Sequence, residues 1–121
     1  MEITQKQAMD AYRVVRKLEK QDMNGVCAKI LFDARKALEP QFQFQDEQEC
    51  KQIDALGCEV GDNGAIEFPD DEARNKYIEK MEEISQLEVD VALEKKRFDI
   101  RDIKICPEDI EALESIVEIV C

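Results

Sequence analysis

The stretch EVGDNGAIEFPD, Glu59 to Asp70, carries oxygen-bearing side chains around a D-N-G-x-I core, like the centre of an EF-hand calcium loop. With Gly64 at the obligatory glycine, Asn63 and Ile66 fall where that pattern wants them. The ligand set then fails. Position one is Glu59 instead of Asp, and position three is Gly61, which has no side-chain oxygen. Position twelve is Asp70, too short for the usual bidentate Glu. Pro69 stands where the exiting helix should already run. Asn63-Gly64 therefore reads as a tight turn joining Cys58–Val60 to Ala65–Phe68, with no calcium bound.

The other chemistry-bearing residues point the same way. Cys27, Cys50, Cys58, Cys106 and Cys121 are odd in number and form no C-x-x-C. The chain has no His, so a zinc site would need Cys, Asp and Glu alone, and Cys50 and Cys58 stand outside finger spacing. Free, buried thiols acting as small hydrophobes in a reducing cytosol are expected. The missing His also removes the commonest general base and the usual partner of a Cys nucleophile. The four glycines make neither G-x-x-x-x-G-K-[ST] nor G-x-G-x-x-G. The expectation is a protein that is not an enzyme and takes no cofactor and no metal. An enzymatic reading would need carboxylates converging in a pocket. Lys95-Lys96-Arg97, with Arg101 and Lys104 nearby, reads as a charged turn that blunts a strand edge.

Charge narrows the partners. The formal net charge is −12 over 121 residues, unevenly spread. Residues 1–40 hold 8 Lys/Arg and 6 Asp/Glu, a net of +2, and residues 41–121 hold 9 and 23, a net of −14. Such an acidic face repels nucleic acid and anionic lipid, so neither direct nucleic-acid binding nor membrane binding is expected. No apolar run approaches the length of a membrane helix, and the N-terminus has no secretory h-region. The acidic part could meet a basic protein surface, or it could be a solvated face that only keeps the protein soluble.

The elements that must position these residues follow from periodicity. The length suits one domain, 1–121. Thr4 and Gln7 form a T-x-x-Q capping box, and Ala8, Ala11, Tyr12, Val15 and Leu18 give one apolar face. Asn24-Gly25 reads as the stop of that helix. A second helix carries Cys27, Ile30, Leu31, Ala34 and Leu38, with Pro40 ending or kinking it. The two predict an antiparallel hairpin. Residues 41–56 mix strand-like Phe42 and Phe44 with helically spaced Cys50, Ile53 and Leu56, and are assigned to a helix stopped by Gly57. Residues 70–86 predict a helix with Ala73, Tyr77, Met81 and Ile84 inward. Leu87 to Leu93 alternates like a strand, followed by a charged turn at Glu94–Arg97. Phe98 and Ile100 have the opposite parity to Ile103 and Ile105, which demands a bulge or turn near Arg101-Asp102.

Pro107 suits the first position of a last helix through Ile110, Leu113, Ile116, Val117 and Val120. Its outer face would hold Glu108, Asp109, Glu111, Glu114 and Glu118 with no basic residue. Ile119 would be crowded out of the core, which makes Glu108, Glu111, Glu114, Glu118 and Ile119 the candidate interaction residues, with a homodimer as the commonest assembly. The fold expected is α+β and mainly helical: an N-terminal antiparallel helical hairpin plus two or three further helices packed on a small antiparallel sheet.

Several segments together resemble a family of small proteins encoded by tailed bacteriophages and prophages of low-GC Gram-positive bacteria. They are KALEP (Lys36–Pro40), the D-N-G turn (Asp62–Gly64), NKYIEKMEEI (Asn75–Ile84), EVDV (Glu88–Val91) and ICPEDIEALESIVE (Ile105–Glu118). QFQFQ and the five cysteines depart from that pattern. The resemblance carries over no site residue. It implies a phage-type accessory protein of the host cytoplasm that acts by contact with other proteins, in assembly or host takeover. The alternative is an acidic inhibitor that mimics nucleic acid against a host nucleic-acid-binding or defence protein.

Overall fold

The computed structural model describes every residue from Met1 to Cys121. Glu2–Thr4 is strand β1 and Gln5–Leu18 is helix α1. Thr4 closes the expected capping box: its hydroxyl accepts from the Gln7 N–H at 3.1 Å, and the Gln7 side-chain oxygen accepts from the Thr4 N–H at 2.9 Å. The apolar face of α1 is buried, Val14 included. α1 ends at Leu18, well before Asn24-Gly25. Asn24 instead starts the next helix, its side-chain oxygen accepting from the Cys27 N–H at 2.9 Å. The expected stop is thus an N-cap, a role for which Asn is equally suited.

Helix α2, Gly25–Ala55, runs 31 residues straight through Pro40. A proline removes one backbone hydrogen bond, but here contacts with α1 hold the chain beyond it. The Gln5 side-chain amide donates to the Gln41 carbonyl at 2.9 Å, and Phe42 stacks on Tyr12 with ring centroids 4.8 Å apart. Of the two outcomes expected at Pro40, an end of the helix is thus excluded, and the second helix of the hairpin and the ambiguous helix 41–56 are one element. Gly57 stops it as expected, with φ +68°. The Cys58 N–H donates to Ile53 O and the Gly57 N–H to Asp54 O, a Schellman closure.

Strands β2 (Glu59–Val60) and β3 (Ile66–Glu67) pair antiparallel across the Asn63-Gly64 turn, where Gly64 takes φ +80°. Helix α3, Asp71–Ser85, is capped by the Asp70 carboxylate, which accepts from the Ala73 N–H at 2.8 Å. Strand β4, Glu88–Asp90, pairs antiparallel with β1, Ile3 opposite Val89. Strand β5 is Lys96–Asp99, so Lys96 and Arg97 lie in a strand and not in the expected turn. The turn demanded near Arg101-Asp102 is present, with the Ile103 N–H donating to Ile100 O.

Helix α4 starts at Pro107 as expected but ends at Leu113. Val117–Val120 is strand β6, parallel to β5, Phe98 opposite Ile119. The long final helix is therefore corrected: Ile116, Val117, Ile119 and Val120 are β-branched and favour a strand once a partner strand is at hand. The α+β, mainly helical class stands. In place of one antiparallel sheet there are three two-stranded pairs, and the last is parallel because α4 supplies the crossover.

One apolar cluster of 16 buried residues joins α1, the first part of α2, β1, α4, β5 and β6, with Phe98, Leu18, Leu31, Leu38, Leu113 and Ile116 fully enclosed. Residues 41–86 add nothing to it; only Ala73 and Ile84 are buried there. At 1.5 Å per residue α2 is about 46 Å long and α1 about 21 Å. The far part of α2 outruns α1 and packs on α3, where the Gln45 amide approaches the Met81 sulfur at 3.9 Å, while Phe68 packs against Tyr77 of α3.

Candidate functional site

Residues 41–86 form an acidic arm on this framework. They hold 13 Asp/Glu against 4 Lys/Arg, a net of −9 out of the chain's −12. The carboxylates come from three elements: Asp46, Glu47 and Asp54 on α2, Glu59 and Glu67 on the hairpin, and Asp71, Glu72, Glu79, Glu82 and Glu83 on α3. All are exposed. Two are held by helical ion pairs, Glu47 with Lys51 and Glu72 with Lys76, each at 3.1 Å. Exposed apolar side chains sit among the charges, Val60 at 56% and Ile78 at 47%. Burial raises the Tyr77 phenol above its ordinary value, and the Glu49 carboxylate nearby raises it further. An acidic surface interrupted by apolar side chains on an ordered scaffold can hold a basic protein surface.

The calcium look-alike lies inside the arm and has been put to structural use. Asn63 Oδ1 accepts from the Ala65 N–H at 3.0 Å, and Asp70 is occupied as the cap of α3. The Gly61 N–H donates to Ala65 O at 2.8 Å, closing the turn. No three Cys, Asp or Glu side chains anywhere are arranged to hold a metal ion.

The five residues singled out from the final helix do not form one face. Glu108, Glu111 and Glu114 are exposed on or just past α4, across an open groove from Lys6 and Arg13 of α1. The basic residues missing from the α4 sequence are thus supplied by α1. Glu118 is exposed on β6, a separate element. Ile119 is half-buried and packs on the core beside its strand partner Phe98, so it is not the crowded-out helical residue expected. Asp109, placed on the outer face by the helical pattern, is 3% exposed. Lys17 Nζ donates to its Oδ2 at 2.8 Å, and Arg13 lies 3.9 Å away. The Lys17 hydrogen bond holds the Asp109 carboxyl below its ordinary value, against the opposing effect of burial. The same bond raises Lys17.

The sequence reading missed a basic stripe that runs along α1 into the turn after it. Arg13, Arg16, Lys17 and Lys20 follow at three- and four-residue steps and all are exposed. The spacing alone could have revealed it. The cysteines also depart from expectation: all five are free, but only Cys27 is buried, while Cys50, Cys106 and Cys121 are exposed and Cys58 is half-buried. Lys96 and Arg97 are exposed on β5 and suit the guarding of a strand edge. Arg101 is clamped to Asp99 at 2.6 Å, which lowers the Asp99 carboxyl. No helix is long and apolar enough to cross a membrane. Comparison with protein families, curated proteins and solved structures returned no significant match.

Proposed function

We propose that this chain is a phage- or prophage-type accessory protein of the host cytoplasm that acts without catalysis, by gripping another protein through its acidic arm. The observation that carries this reading is the separation of charge from core: a net of −9 sits on residues 41–86, which contribute nothing to the main apolar cluster. Stability does not require so many carboxylates on so thin a scaffold, since their mutual repulsion opposes folding. A partner with a basic surface turns that repulsion into attraction. The segments that resemble tailed-phage proteins support the setting, assembly or host takeover.

The test is capture from bacterial host lysate by the wild type and by an arm variant, Glu79→Lys with Glu82→Lys. A specific partner is expected on the wild type, lost with the variant and released at high salt, where exposed charges are screened. Capture that survives both charge reversal and salt refutes the arm as the contact surface. A second reading, occupation of a basic cleft built for nucleic acid, draws on the same charge. It is separated by competition: the partner then loses its nucleic-acid binding when this protein is added, and keeps it under the assembly reading.

A further inference from the structure

The arm has a complement on the same molecule. Along α1 and the turn that follows it, Arg13, Arg16, Lys17 and Lys20 overhang a groove of about 700 Å3 between α1 and α2. Its apolar floor is the Tyr12–Phe42 stack, with Phe42 left 43% exposed. Arg13 and Lys17 are engaged by Asp109. Arg16 is not spent on a carboxylate: its guanidinium donates to the Tyr12 hydroxyl at 3.2 Å and lies 5.9 Å from that ring. Lys20 is exposed and belongs to none of the ion pairs. The α2 wall adds Asp46 and Glu49, so the groove carries four basic and two acidic residues on a chain that is otherwise strongly negative.

The outward face of α3 matches it. Ile78, 47% exposed, is flanked by Glu79 and Glu82, neither of which has an ion-pair partner in its own chain. α3 has 15 residues and α1 has 14, so the two helices are of nearly equal length, about 22 and 21 Å. Met81 of α3 meets Gln45 of α2, whereas Ile78, Glu79 and Glu82 are exposed and no α3 residue lines the groove of its own chain.

We propose that the α1 groove receives helix α3 of a second copy, Ile78 against Phe42 and Glu79 and Glu82 against Arg16 and Lys20. The contact joins two different surfaces, so copies associate head to tail and the series stays open unless rotation closes it. A single helix in a groove is at the small end of specific interfaces, so association is weak and reversible. The net charge of −12 opposes it at long range. Moderate salt screens that repulsion over about 10 Å while sparing the short contact pairs. The inference rests on the arm being a contact surface, as proposed above.

Sedimentation of the full chain, from roughly 10 µM to 1 mM, tests it with two variants: Arg16→Glu with Lys20→Glu in the groove, and Glu79→Lys with Glu82→Lys on the arm. The wild type is expected to gain mass with concentration and to lose it as salt is raised to high levels. Each variant alone is expected to stay monomeric, because like charges then meet. An equimolar mixture of the two is expected to associate again, because each supplies the charge the other lacks. All four positions are exposed, and helicity by circular dichroism checks the fold. Should it fall, the Gln substitutions at the same positions replace them, with loss of association as the expected result. A wild type that stays monomeric throughout overturns the proposal, as does a mixture that stays monomeric or a variant that associates like the wild type. The wild type remaining monomeric while still capturing a host protein through the arm would refute this inference alone.

Discussion

Asp109 shows how one side chain can change meaning between pattern and structure. By helical spacing it belongs with Glu108 and Glu111 in solvent, yet it turns inward to meet Lys17 and Arg13. Because Lys17 holds its carboxyl below the ordinary value of about 3.9, the stability it contributes is complete above that pH. It is lost as pH falls through the lower folded-state value. Urea midpoints at pH 7 and at about pH 3 should therefore fall further for the wild type than for Asp109→Asn, while the variant is already weaker at pH 7. Equal falls in the two proteins would remove Asp109 from the acid response. Leu113, a few residues on, is fully enclosed, and Leu113→Ala should cost about 2–5 kcal/mol by denaturant unfolding. An unchanged midpoint would mean that α4 is peripheral to the core.

At the scale of elements, α2 is the decisive case. Pro40 is exposed inside a 31-residue helix, and the Lys36 carbonyl receives no hydrogen bond from it. Proline costs about 3 kcal/mol in a helix interior, partly recovered by stiffening the unfolded chain. Pro40→Ala should raise stability by about 1–3 kcal/mol, read as a higher thermal midpoint. A fall would show that the proline bends α2 into its contacts with α1. The β2–β3 hairpin gives a second element-scale expectation. Asn63 and Asp70 are committed to backbone N–H groups, so calorimetry at millimolar calcium should show no saturable binding. A one-site isotherm abolished by Asp62→Ala would contradict this.

For the whole molecule, the cysteines give a direct measure of how the chain is enclosed. Five thiols should react on the denatured protein, and on the native protein four should react readily while Cys27, 2% exposed, lags behind. A native Cys27 as fast as the others would mean that the seam between α2 and β5, where its thiol approaches Asp99 O at 3.5 Å, opens freely. The larger division is between the core, built around α1, and the acidic arm. The two differ in apolar enclosure, so amide exchange should be slowest along α1 and faster through residues 46–83.

The sequence by itself determined the elements whose signals are local. The capping box at Thr4, the Gly57 stop, the Asn63-Gly64 turn, helix α3 and Pro107 at the start of α4 each depend on a few neighbouring residues and need no distant partner. It also determined the acidic excess after residue 40. Only the tertiary structure decided matters that depend on contacts far apart in the chain. α2 survives Pro40 because Gln5 and Tyr12 hold its far side. Glu2–Thr4 becomes a strand because β4 pairs with it, three residues being too few to show a period. Val117–Val120 leaves the helical pattern because β5 offers a ladder and β-branched residues fit it. Spacing within one element cannot report which surface that element will meet, and that is why the charged faces of α1, α3 and α4 take their meaning only once the chain is folded.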